Sequence, residues 1–183
     1  KLLLKYMDMM EENYHSHATK IKFKHKKWGW HNFSIRINFE NGKEYVKDWS
    51  HDPYFAGYCA DHLYTRPSCY ECPFREYPHV AYFTLADFWG IENLDPSMDQ
   101  DKGTSLILVN TDKGSDFLSQ IKDDVISKAY QFSDLRNVYG AMFNNSPQPQ
   151  GNREAFFEAR NRYPFRKVAK LHITRPSSCK QFR

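Results

Sequence analysis

Residues Phe33-Ser34-Ile35-Arg36-Ile37-Asn38-Phe39 alternate strictly between apolar and polar, and Asn41-Gly42 follows almost at once. Successive side chains of an extended strand point to opposite faces, so a period of two puts Phe33, Ile35, Ile37 and Phe39 on one side. Asn-Gly supplies the positive φ of a tight turn, and Glu44 to Trp49 is then the return arm of a β-hairpin. Two strands with one apolar face are marginal in water and must find a third strand or a helix. Residues 19–25 offer that strand: Lys20, Lys22 and Lys24 alternate with Ile21 and Phe23, giving it a wet basic face.

The remaining segments supply helices and further strands. Leu3, Met7 and Met10 at helical spacing predict a helix over 2–13. Asp52-Pro53 opens a second helix running towards Thr65, which Arg66-Pro67 ends, because a residue before proline avoids helical backbone. Val80 to Phe88 is β-prone and stops at Gly90, and Asn93 to Gly103 is a polar loop. The near-continuous apolar run Thr104 to Thr111 predicts a strand covered on both faces. A helix follows from Ser115 to about Lys122, and Gln131 to Val138 shows no decisive period. After the loop Asn144 to Gly151, residues 152–162 predict a helix with Ala155, Phe156 and Ala159 inward, and Pro164 to Lys170 another short one. This order implies a mixed α+β fold in a single domain spanning 1–183.

Composition narrows the function classes. With 26 Lys and Arg against 22 Asp and Glu, the net charge of +4 is mild, and no nucleic-acid module accompanies the lysines, so a nucleic-acid partner is not expected. No stretch of about 18 apolar residues exists, so no membrane span is expected, and Lys1-Leu2-Leu3-Leu4-Lys5 is too short for a signal-peptide core. The chain begins without Met and reads as part of something longer. Four cysteines in 183 residues is not the density of a secreted disulfide scaffold, and points to metal or redox use in the cytoplasm.

Two of those cysteines, Cys69 and Cys72, stand three apart in Arg66-Pro67-Ser68-Cys69-Tyr70-Glu71-Cys72-Pro73-Phe74. A Cys-x-x-Cys turn brings two thiolates within reach of one metal ion or cluster. Three readings follow: iron-sulfur ligation, a zinc site completed by Cys59, His79 or Cys179, or a redox dithiol. His15 and His17 stand two apart in a polar turn and read as solvated.

The segment from Arg66 to Gly90 resembles the C-terminal domain of the coenzyme F420 hydrogenase/dehydrogenase beta subunit family, specifically bacterial members associated with polysaccharide synthesis. The matching residues are Arg66, Pro67, Ser68, Cys69, Tyr70, Cys72 and Phe74, then Thr84, Leu85, Asp87, Phe88, Trp89 and Gly90. Lys26-Lys27-Trp28-Gly29-Trp30, the run Lys102 to Gly114 and Asn152 to Phe157 are similar to three further family segments, in the same order. Ala86 and Tyr82 depart from the pattern, standing where members often carry Gly and an acidic residue. The resemblance implies an iron-sulfur flavoprotein oxidoreductase in which a [4Fe-4S] cluster and FAD exchange electrons with a deazaflavin or other acceptor. It implies an upstream ferredoxin-like region or a redox partner protein.

On that footing Cys69 and Cys72 are candidate cluster ligands, and Arg66, Asp87, Trp89, Gly103 and Gly114 are candidate cofactor-binding residues. Arg66 would balance thiolate charge or make a structural ion pair. Asp87 would orient the thiolate turn from its outer shell, or cap a turn. Trp89 would stack on a flavin or fill the core. Gly103 and Gly114 would offer backbone N–H groups to a phosphate, or simply turn the chain. No side chain is assigned acid–base catalysis. The alternative is a zinc-stapled or metal-free α+β module that binds a partner in polysaccharide biosynthesis.

Overall fold

A computed structural model describes residues 1–139, 143 and 146–174. The chain runs α1 (Leu2–Tyr14), β1 (Ala18–His25), β2 (Ser34–Phe39), β3 (Glu44–Asp48) and α2 (Pro53–Cys59). It continues through β4 (Phe83–Asp87), α3 (Ile91–Leu94), β5 (Ser105–Val109), α4 (Asp112–Gln120) and α5 (Phe132–Val138). Helices α6 (Arg153–Arg162) and α7 (Phe165–His172) follow. The fold is α+β, with two small antiparallel sheets. Its residues gather into two compact units: Lys1–Pro67 with the segment from Pro147 onward, and Ser68–Ser146.

In the first unit the expected hairpin is the centre of a three-stranded sheet ordered β1-β2-β3. Ile37 lies opposite Ile21 on one side and Tyr45 on the other, so one apolar face runs across all three strands. Gly42 takes φ +79 at the turn, and Asn41 Oδ1 accepts from the Lys43 N–H. Ile35, Ile37 and Phe39 are buried against Tyr6 and Met10 of α1, Phe156 and Ala159 of α6, and Phe165 and Val168 of α7. Each of the buried Ile, Phe, Met and Val side chains contributes roughly 1.5–3 kcal/mol. Lys5 Nζ donates to the carbonyls of Arg160 (2.7 Å) and Tyr163 (3.0 Å), tying α1 to the exit of α6.

Asp52 starts α2, its side chain accepting from the Phe55 N–H at 2.8 Å with Pro53 in the first turn. The helix stops at Cys59 and does not reach Thr65 as the sequence suggested. His62 sits at φ +52, left-handed backbone that no α-helix passes through. Asp61 then anchors the returning chain, its carbonyl accepting from Gln150 N and its Oδ2 from Thr174 N, both at 2.8 Å.

In the second unit β4 and β5 pair antiparallel, Leu85 opposite Ile107. Leu106 and Leu108 are buried while Ser105 is exposed and Ile107 largely so. The strand expected to be covered on both faces is therefore covered on one. Among the described residues its one strand neighbour is β4, and α4 packs over the sheet at Phe83. Thr111 caps α4 by accepting from the Gly114 N–H. Residues 93–103, read as loop, contain the end of α3 and a one-turn 3₁₀ helix, Pro96–Met98, started by Asp95. The undecided segment 131–138 is α5, with Leu135 as its buried residue.

Candidate functional site

Pro67–Cys69 forms a single 3₁₀ turn, and Cys72 follows in irregular backbone between the turn at Tyr70-Glu71 and the one at Pro73-Phe74. Both thiols are free and half-buried, separated by Tyr70 and Glu71. Proline at 67 and at 73 removes backbone donors on either side, which keeps the segment out of a helix or sheet ladder and leaves it at the surface. Arg66 and Ser68 beside it are exposed.

Asp87 is the last residue of β4, opposite Ser105, and is half-buried. It lies within electrostatic reach of Tyr139: burial first, then the Asp87 charge, push that phenol up, while Arg75 pulls it back. The Tyr139 phenol, just after α5, thus feels both the candidate carboxylate and Arg75, a cation three residues beyond Cys72. Sequence reasoning missed Arg75 and Tyr139. Arg75 had a visible signal in its place beside the cysteine turn, whereas Tyr139 had none, since only the packing of α5 brings it near.

Phe88, not Trp89, takes the core position at the end of β4, with 3% of its surface exposed and Tyr130 at its edge. Trp89 is left half-buried. Gly103 is exposed at φ +103 immediately before β5. Gly114 has a packing reason to be glycine: a Cβ there would lie 2.6 Å from the Tyr82 carbonyl oxygen. Its N–H is donated to Thr111 Oγ1 at 3.1 Å, so Gly114 serves the start of α4.

The other candidate ligands lie elsewhere. Cys59 ends α2 in the first unit, where burial pushes its thiol up to about 11 against the pull of Lys24. A thiol held protonated is a poor metal ligand. His79 Nδ1 is 2.7 Å from Thr84 Oγ1, which also accepts from Asn110 Nδ2. His17 is paired with Glu11. Cys179 lies outside the described residues. Among the described residues, neither Cys69 nor Cys72 is gathered with two further His, Cys, Asp or Glu ligand atoms within 4.8 Å. The segment supplies two thiols, soft in character and not tied up in a disulfide, of the kind that iron or zinc takes as ligands.

A family model described as the C terminus of the coenzyme F420 hydrogenase/dehydrogenase beta subunit matches residues 2–134. The chain belongs to that family. The matched span covers the sheet of the first unit, the cysteine turn and both strands of the second unit. This beta-subunit family is an oxidoreductase one, and at that level the chain is placed with hydrogenases and dehydrogenases. No curated protein and no solved structure matches the chain. Among the described residues no helix is long and apolar enough to cross a membrane.

Proposed function

We propose that this beta-subunit domain is the part of a cytoplasmic iron-sulfur flavoprotein that contributes Cys69 and Cys72 to a [4Fe-4S] cluster. The observation that carries the reading is the free, half-buried Cys-x-x-Cys turn lying inside the family-matched span. Two thiolates are half of the usual cluster set, so the remaining ligands come from outside the described residues. An upstream ferredoxin-like region or a separate redox partner would provide them. When bound, the cluster and FAD would supply one- and two-electron chemistry towards a deazaflavin or another acceptor.

The chain's own residues would position and tune. Cys69 and Cys72 hold the metal as thiolates. Asp87, within electrostatic reach of Tyr139, would fix the polarity beside the end of β4. Trp89 would present its ring face to the flavin, and Gly103 its exposed backbone to a phosphate. Arg66, exposed ahead of the turn, would offset the negative charge of the thiolates.

The test is metal and flavin content of protein made anaerobically, both as residues 1–183 alone and with any sequence that naturally precedes them. Iron with acid-labile sulfide and flavin supports the reading. A colourless protein holding zinc alone turns it towards a zinc-stapled interaction module.

A further inference from the structure

The first unit holds a cleft of about 440 Å³ that the redox reading does not use. Apolar side chains in its lining include Met9 of α1, Pro53 and Ala56 of α2, and Ile173 just after α7. Lys47, His51, Arg166 and Lys170 also line it. The segment from β3 to the start of α2 and the sequence-distant α7 both contribute cationic side chains to this lining.

The placement of Lys47 needs an account. It pairs with Ile35 across β2 and β3, so it occupies the sheet face that carries the core. Lys47 is nevertheless exposed, so its ammonium reaches water beside the cleft that it lines. Among the described residues neither Lys47 nor Lys170 has an ion-pair partner. The nearby acids are already engaged. Asp48 Oδ1 accepts from Ser50 Oγ at 2.6 Å and lies 2.7 Å from His51 Nδ1. Asp52 accepts from Tyr6, Tyr45 and the Phe55 N–H. Arg166 spends one N–H on Asn13 Oδ1 and has others to offer.

We propose that this cleft binds a small amphipathic anion, an aryl or short acyl group bearing one carboxylate or phosphate. The apolar side chains would take the body, and the lysines with Arg166 the head. Apolar side chains combined with a few charged groups are what such a ligand requires of its site. The proposal is independent of the iron-sulfur reading, since every lining residue belongs to the first unit.

The test is two-dimensional amide NMR on the chain, titrated separately with 1-naphthyl phosphate, 1-naphthoate, 1-naphthol and inorganic phosphate. The expected result is saturable shifts at Ala56, Ala169 and Ile173 with a naphthyl anion, the stronger of the two identifying the head group. Naphthol and inorganic phosphate should each bind at least about tenfold more weakly, since each lacks half of the recognition. The double variant Lys47→Glu, Lys170→Glu should lose about tenfold or more, and Lys170→Arg should keep binding. Both lysines are exposed, so their replacement leaves the core intact. Equal binding of inorganic phosphate, shifts confined to the lysines of β1, or unchanged affinity in the double variant would overturn the proposal.

Discussion

Tyr6 donates its phenolic O–H to Asp52 Oδ2 at 2.7 Å, linking the middle of α1 to the first residue ahead of α2. Tyr45 of β3 donates to the same oxygen at 2.9 Å. Helix, strand and helix cap therefore meet on one carboxylate with no exposed surface. Burial pushes the Asp52 carboxyl up, and the donors from Tyr6, Phe55 and Tyr45 oppose it. Asp52→Ala would remove the cap and leave two phenols, Tyr6 buried and Tyr45 half-buried, without this acceptor. We expect a loss of about 3–5 kcal/mol, with Tyr6→Phe costing roughly 1–2 kcal/mol, both read from urea unfolding. Equal, small effects would show that the tyrosines reach other partners.

Asp95 gathers the second unit in a similar way. It accepts from Lys128 Nζ, from Tyr130 OH at 2.8 Å, and from the N–H and Oγ of Ser97. Lys128 above all, then Ser97 and Tyr130, hold its carboxyl well below the usual range. A carboxyl depressed in the fold contributes stability that is present above its unfolded value of 3.8 and is lost as pH falls through the folded one. Wild type should therefore exceed Asp95→Asn in melting temperature near neutral pH, and the gap should shrink from about pH 4 towards about pH 2. A gap that stays constant with pH would contradict this assignment.

Gly114 and Gly42 should respond differently to alanine. At Gly114 the new Cβ meets the Tyr82 carbonyl at 2.6 Å, and α4 must move off β4, at about 1–3 kcal/mol. At Gly42 there is nothing within 4 Å, and only the φ of +79 opposes the change, at roughly 1 kcal/mol. Chemical unfolding of the two variants separates the cases; a larger cost at Gly42 would refute the packing argument.

The cysteines should separate by reactivity. With its thiol raised from 9.0 to about 11, Cys59 has about a hundredfold less thiolate near neutral pH than an ordinary cysteine. A variant retaining Cys59 alone should react with iodoacetamide about a hundredfold more slowly than a free thiol in a short peptide. Comparable rates would mean that the end of α2 is open to solvent.

The three-stranded sheet was legible because its signals are local. A period of two over Phe33 to Phe39, a turn at Asn41-Gly42 and alternating lysines in β1 each act within a few residues. The cysteine turn was legible for the same reason. What lay hidden is tertiary. No local pattern joins α1 to α7, yet Tyr6 and Phe165 meet edge to face at 5.3 Å. The uneven cover of β5 depends on which neighbours the strand finds, and an apolar run cannot reveal that. Tyr139 comes within reach of Asp87 and Arg75 only once α5 is placed. Segment 131–138 carries one buried residue, Leu135, too few to set a period.

The central claim is that Cys69 and Cys72 hold an iron-sulfur cluster, and iron and acid-labile sulfide per chain test it most directly. The measurement compares anaerobically prepared natural-length protein with its Cys69→Ser and Cys72→Ser variants, alongside their visible spectra. The account predicts a brown protein whose iron, sulfide and broad visible absorbance fall sharply in either variant. Iron and absorbance unchanged by both substitutions, or zinc in place of iron, would contradict it.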